Sequence, residues 1–170
     1  MADRSPVKNL ADVELVRQRH GEQFDAQLGS IALGLGAKKL GCRLTVVAPG
    51  KRAFPFHAHH SNEEMFYILA GEGILRFGSE RHPVRPGDVA LCPAGGAETA
   101  HQLINTSTTD ELRYLAISTM NEPDVAEYPD SKKFAVLSGS APGGDKSKRR
   151  LSFVGRASSN IDYYDGEDQS

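Results

Sequence analysis

His57 and His59 stand two positions apart in the run Phe-Pro-Phe-His-Ala-His-His, residues 54–60. Residues i and i+2 of a β-strand project from one face, so these two imidazoles are expected to point the same way. Glu64 follows the polar stretch Ser61–Glu63 and opens the apolar run Glu-Met-Phe-Tyr-Ile-Leu. His101 opens another strand-like run, His-Gln-Leu-Ile-Asn. Three imidazoles and one carboxylate converging inside a β-structure suit a divalent transition metal, and Mn, Fe, Ni, Co and Zn are all compatible. His60 has the opposite parity and is expected to face outward unless a bulge resets the register. The competing reading is that the six histidines are scattered structural or solvated groups. Three of them at strand-compatible positions beside turn residues, together with a carboxylate, favour the metal.

Such ligands need strands to hold them. Ala37–Val47 alternates, is rich in β-branched residues and ends at the turn signal Pro49-Gly50. The segments FPFHAHH, EEMFYIL, GEGILRFG, RHPV, DVALCP, HQLIN and LRYLAIST follow, separated by Gly, Pro, Asn and Asp turns. Short strands at intervals of ~8–12 residues predict an antiparallel sandwich or barrel. No long helical period interrupts them, which argues against a doubly wound parallel sheet. A short helix is expected around Leu10–Arg17, and strand segments at Ile31–Leu35 and Phe134–Leu137. The stretch SGSAPGGDKSKRR reads as a flexible linker by composition. The division expected is an N-terminal extension 1–36, a barrel 37–120 and a C-terminal extension 121–170.

The remaining composition narrows the function classes. A chain of 170 residues is about one domain and needs no staple to stand. Twenty Lys+Arg against 22 Asp+Glu give a net charge of −2, which argues against a generally basic nucleic-acid binder. No helix-turn-helix pattern stands outside the strand region, and no apolar run approaches the ~18 residues of a membrane span. Cys42 and Cys92 are too few for a disulfide scaffold or a Cys-rich zinc site. The N-terminal residues carry no apolar signal core, so a cytoplasmic protein is expected. Gly34–Gly41 has the wrong spacing for a dinucleotide turn. Gly139–Ser147 approaches a phosphate loop, but Asp145 separates Gly144 from Lys146. Lys146, Lys148, Arg149 and Arg150 read as a solvated loop.

The same residues resemble the motifs of the cupin superfamily, small metal-binding β-barrels. The first motif runs His-x-His, three or four residues, Glu, six residues, Gly, and here these are His57, His59, Glu64 and Gly71. That spacing selects Glu64 over Glu63. The second motif is met by Gly87, Pro93, Gly95, His101 and Asn105, with five residues between Gly95 and His101 where the pattern has two. The longer loop makes Glu98 and Thr99 candidates for substrate contact. The resemblance spans about residues 40–120. It implies an all-β double-stranded β-helix, or jelly roll, with metal ligands His57, His59, Glu64 and His101. The longer string from Pro49 to Gly73, with the later EYPDS and DYYDGE segments, resembles bacterial cupins some of which carry a sugar-phosphate isomerase label.

Three functions follow as expectations. The first is a metal-dependent enzyme on a small oxygenated substrate, isomerase-like, with the metal polarising a carbonyl or hydroxyl oxygen. The second is a metal-dependent dioxygenase, and the third a small-molecule binding or sensor protein. Glu98 and Tyr67 are the candidates for moving a proton. Arg43, Arg76, Arg113 and Gln102 lie on expected strands and are expected to face solvent, though one inward Arg would favour an anionic substrate. Phe54, Phe56, Phe66 and Ile68 are expected to pack the interior, with Cys92 as a small buried apolar group. A homodimer is expected, built partly from the terminal extensions, because unpaired apolar strand segments need cover.

Overall fold

The computed structural model describes residues 5–168. The strands are β1 Val16–His20, β2 Phe24–Ser30, β3 Leu40–Val47, β4 Ala58–His59, β5 Glu64–Ala70, β6 Gly73–Phe77 and β7 Glu80–Val84. They continue with β8 Val89–Cys92, β9 His101–Asn105, β10 Leu112–Thr119, β11 Asp124–Tyr128, β12 Lys133–Ser138 and β13 Leu151–Gly155. Short 3-10 turns are the helical elements among the described residues. One layer is a six-stranded sheet in the order β1-β2-β3-β10-β5-β8. The facing layer consists of β13-β12-β11-β4 and β7-β6-β9. An antiparallel bridge between His57 and His101 joins these two sheets at the centre of that layer. The architecture is an all-β jelly roll.

Alternation along the strands builds the interior. In β10, Leu112, Tyr114 and Ala116 are buried. In β5, Phe66 and Ile68 face in, while Met65 and Tyr67 face out and are more than a third exposed. With Val47, Leu75, Val84, Cys92 and Leu103 the inward set forms one cluster between the layers. Two motif residues serve this frame. Gly71 turns at φ +79, where a Cβ would collide with the Glu111 carbonyl. Asn105 is buried, and its Nδ2 lies within hydrogen-bond range of the carbonyls of Val47, Ala48 and Asp110. It ties three chain segments together at the end of the barrel.

The segments flanking the motif region are woven into the sheets. Strands β1 and β2 extend the large sheet beside β3. Val13 packs on Leu44 and Val46, and Leu10 and Leu15 join them over the sheet's outer face. On the other side of the chain, β11 pairs with β4, β12 with β11 and β13 with β12.

Three local expectations are corrected. Leu10–Arg17 is not a helix: a 3-10 turn covers Leu10–Asp12, and Val16 and Arg17 belong to β1. The hairpin partner decides this, with Arg17 held across it by a bidentate contact to Asp25. Ile31–Leu35 is a turn, because the Ile31 and Ala32 amides both donate to the Cys42 carbonyl and Leu35 donates back to Ile31. The stretch read as a flexible linker is folded. Ala141 is buried, Gly144 donates to the Ala141 carbonyl, and Arg150 donates to Ser138.

Candidate metal centre

His57 lies just before β4 and His59 within it, His101 starts β9 and Glu64 starts β5. Backbone hydrogen bonds fix His57 against His101. The His57 amide donates to the His101 carbonyl at 3.1 Å, and the His101 amide donates to His57 at 2.7 Å. The rings of His57 and His59 are 4.9 Å apart, as are those of His57 and His101. Potential ligand atoms of His57, His59 and Glu64 all lie within 4.8 Å of one another. This group can hold a metal ion. His101 borders it, with Nε2 2.9 Å from Glu64 Oε2.

Each imidazole is oriented through its other nitrogen. His57 Nδ1 is 2.8 Å from the Pro55 carbonyl, His59 Nδ1 is 2.7 Å from Asp124 Oδ2, and His101 Nδ1 is 3.2 Å from the Thr99 carbonyl. The Pro55 carbonyl only accepts, so the tautomer of His57 carries the proton on Nδ1 and presents Nε2 as a lone pair. The carboxylate of Asp124 selects the same tautomer at His59. This is the outer support that metal-binding histidines use. Two imidazole lone pairs and a carboxylate gathered within 4.8 Å, with His101 beside them, fit a divalent transition metal.

The electrostatics agree with that reading. Burial, and then the nearness of His101, push the His57 imidazole down to about 3, so it is neutral and free to ligate. Burial opposes ionisation of Glu64, but the His101 hydrogen bond and the nearness of the imidazoles hold it at about 2. Asp124 is fully buried, which alone would raise it. The hydrogen bonds from His59 and the Ser61 amide keep it below the ordinary carboxylate value. Cys92 pairs with Glu64 across the β5–β8 ladder, and burial with the Glu64 charge pushes its thiol up to about 12. It packs as an apolar group.

The centre opens on a cavity of about 300 Å³. Phe54, Phe66, Leu103 and Tyr114 contribute from the motif region, and Tyr128, Leu137, Arg149 and Val154 from the chain's last third. Tyr128 stacks on His57 at 5.9 Å between ring centres. Phe56 packs with Ala58 and Ala100 instead. Arg43 and Gln102 line the cavity and do not face solvent as expected. The Gln102 amide donates to the Phe54 carbonyl at 2.8 Å. Arg76 and Arg113 lie elsewhere, paired with Asp130 and Glu111.

Neither proton-moving candidate reaches the cavity. Tyr67 sits on the outer face of β5, because its parity is opposite to that of Glu64 and Phe66. Glu98 folds back to accept the Gly96 amide at 2.9 Å, and that bond holds its carboxyl below the ordinary value. Thr99 likewise bonds the Gly96 carbonyl. His60 turns outward to Glu127 at 3.3 Å. Asp124, Tyr128 and Arg149 were not legible as site residues. They lie in segments whose composition reads as turn and linker, and only the pairing of β11 with β4 brings Asp124 to His59.

A family model described as the cupin domain matches residues 43–118, which include His57, His59, Glu64 and His101. Over 132 residues the chain is 30% identical to auxin-binding protein T85 of Nicotiana tabacum, covering 73% of this chain and 68% of that protein. The chain belongs to the cupin superfamily. This cupin is also 36% identical over 61 residues to an oxalate-binding protein of Thermotoga maritima, covering 36% of this chain and 47% of that relative. Among solved structures, a cupin-superfamily sugar phosphate isomerase from Silicibacter pomeroyi superposes with a TM-score of 0.72 at 21% identity. The match covers 94% of this cupin and 98% of that chain, so the terminal segments share the fold as well. No helix among the described residues is long and apolar enough to cross a membrane.

Proposed function

We propose that this cupin is a metal-dependent enzyme acting on a small oxygenated substrate, isomerase-like in its chemistry. The observation that carries the reading is the shared orientation of three imidazoles. Each commits Nδ1 to an oxygen acceptor and turns Nε2 toward Glu64 at the wall of the cavity. His57, His59, Glu64 and His101 would hold one divalent ion, Mn, Fe, Ni, Co or Zn, which supplies Lewis acidity toward a carbonyl or hydroxyl oxygen. The apolar wall of Phe54, Phe66 and Leu103 limits water around the substrate. Tyr128, whose phenol is pushed up by burial and by Asp124, holds a proton beside His57. The resemblance in fold to the Silicibacter pomeroyi protein supports the isomerase chemistry over oxygen activation.

A second reading is a binding protein without turnover. It is favoured by the cavity's single carboxylate, Glu64, which belongs to the ligand set and leaves no free carboxylate base among the described lining residues. The Thermotoga maritima oxalate-binding relative points the same way. The deciding experiment loads the protein with each metal in turn and incubates it in D₂O with small aldose, ketose and hydroxy-acid substrates, with and without a phosphate group. Deuterium entering a substrate C–H bond supports the isomerase. Oxygen consumption supports the dioxygenase alternative. Saturable binding with neither supports the binding protein.

We further read the protein as a cytoplasmic homodimer, joined through a sheet face and not through the terminal extensions as expected, because Phe134–Leu137 is paired on both sides and Ile31–Leu35 is a turn. The exposed residues Met65, Tyr67, Val89 and Leu91 form neighbouring cross-strand pairs on the outer face of β5 and β8, at the sheet edge. An exposed apolar edge of this kind is covered by pairing with a second copy.

A further inference from the structure

Arg43 and Arg149 reach the same cavity from opposite layers. Arg43 is on β3 of the six-stranded sheet, and Arg149 is in the connection from β12 to β13. Both are half-buried. Neither forms a salt bridge or a side-chain hydrogen bond among the described residues, whereas Arg17, Arg76 and Arg113 are each paired with a carboxylate. The Nε of Arg149 is buried with no hydrogen-bond partner. Arg43 lies over the Phe54 ring, 5.5 Å from its centre, and presses against Gly143. A Cβ at position 143 would collide with the guanidinium, and φ there is +78, so glycine is what admits Arg43 to this place.

Two half-buried guanidinium groups in one cavity without a counter-charge are costly, and the buried, unpaired Nε of Arg149 adds to the cost. The one carboxylate lining the cavity, Glu64, is engaged by His101. The missing partner is therefore an anion supplied from outside. Arg is suited to this role because its planar fork meets the oxygens of a carboxylate or phosphate two at a time. We propose that Arg43 and Arg149 form an oxyanion subsite, and that the substrate carries a carboxylate or phosphate group there while its oxygenated end faces His57, His59 and Glu64. The second half of this statement rests on the metal-enzyme reading, and the first half does not.

The test uses the full chain stripped of metal with chelator, so that no anion can bind through a metal ion. Orthophosphate and acetate are titrated in turn by calorimetry, while the side-chain Nε–H resonances of arginine are followed by NMR. Wild type should bind at least one anion, with the Arg149 Nε–H signal shifting on saturation. Arg149→Gln should weaken that binding at least tenfold, and Arg149→Lys should restore part of it, since the charge stays and the fork is lost. Preference for orthophosphate identifies a phosphate-bearing substrate, and preference for acetate a carboxylate. Far-UV circular dichroism checks the fold of each variant, and the wild-type NMR shift decides by itself if a variant does not fold. The proposal is overturned if neither anion binds wild type, or if the Arg149 signal stays still on saturation. Anion binding that survives in a protein unable to take up any divalent metal would sink the metal-enzyme reading and leave the subsite standing.

Discussion

His59 and Asp124 meet at 2.7 Å although 65 positions separate them in the chain, and Asp124 has no exposure to solvent. The contact holds β11 to β4 and points His59 Nε2 toward Glu64. Asp124→Asn removes the negative charge behind the imidazole and keeps an acceptor oxygen. Metal affinity should fall about 10- to 100-fold, the usual cost of losing such a support, with the fold retained. Competition against a colorimetric chelator measures it, and an unchanged affinity would show that Asp124 only braces the sheet.

His59→Ala should abolish metal retention while far-UV circular dichroism stays that of a β protein. The interior cluster around Val47, Ile68 and Leu112 does not depend on the ion. His60→Ala should keep its metal, because His60 lies against Glu127 outside the cavity. Elemental analysis of both variants separates the outcomes. Full metal content in His59→Ala contradicts its role as a ligand.

Purification without chelator should yield about one divalent ion per chain, and readdition after stripping should raise the melting temperature. At a metal concentration of about 100 times Kd the native state gains about 2.7 kcal/mol. Differential scanning calorimetry across a metal titration reads the effect. A melting temperature indifferent to Mn, Fe, Ni, Co and Zn would count against a site on these residues.

The metal-free protein should lose stability on acidification below neutrality. His57 has its imidazole pushed from the ordinary 6.5 down to about 3, so the unfolded chain takes up a proton in that interval and the native state does not. Glu64, held at about 2 against an ordinary 4.5, adds a loss of the same sign lower down. Stability therefore rises with pH across both intervals. Urea midpoints at pH 7, 5.5 and 4 check the trend, and a flat profile would mean that neither group is buried in the stripped protein.

Light scattering should return twice the 18.4 kDa chain mass, and Leu91→Asp should return the monomer. Leu91 is more than half exposed and faces Met65 across the ladder, so a charge there disrupts an interface without entering the interior. A wild-type mass of one chain would mean that the β5–β8 face stays open to water.

The fold and the residues that gather at the candidate centre were legible from local signals. Period-two alternation, glycine turns and the spacing of His57, His59, Glu64 and His101 are one-dimensional, and each strand's inward face follows from its parity. The same parity counts against Tyr67 as a proton-moving candidate, because Glu64 and Phe66 face in and Tyr67 therefore faces out. Tertiary structure decided everything that depends on pairing between distant segments. Residues 10–17 became a turn and a strand because β2 lay beside them. The glycine-rich stretch after Ser138 folded because Ala141 found a buried place and Arg43 found room against Gly143. Asp124 joined the centre through the β11–β4 ladder, a hydrogen-bond register that no local pattern encodes. Which side chains could ligate is a matter of residue type and spacing, which a sequence displays. The second ring of support and the charge of the cavity are matters of which backbones pair, and only the folded chain displays those.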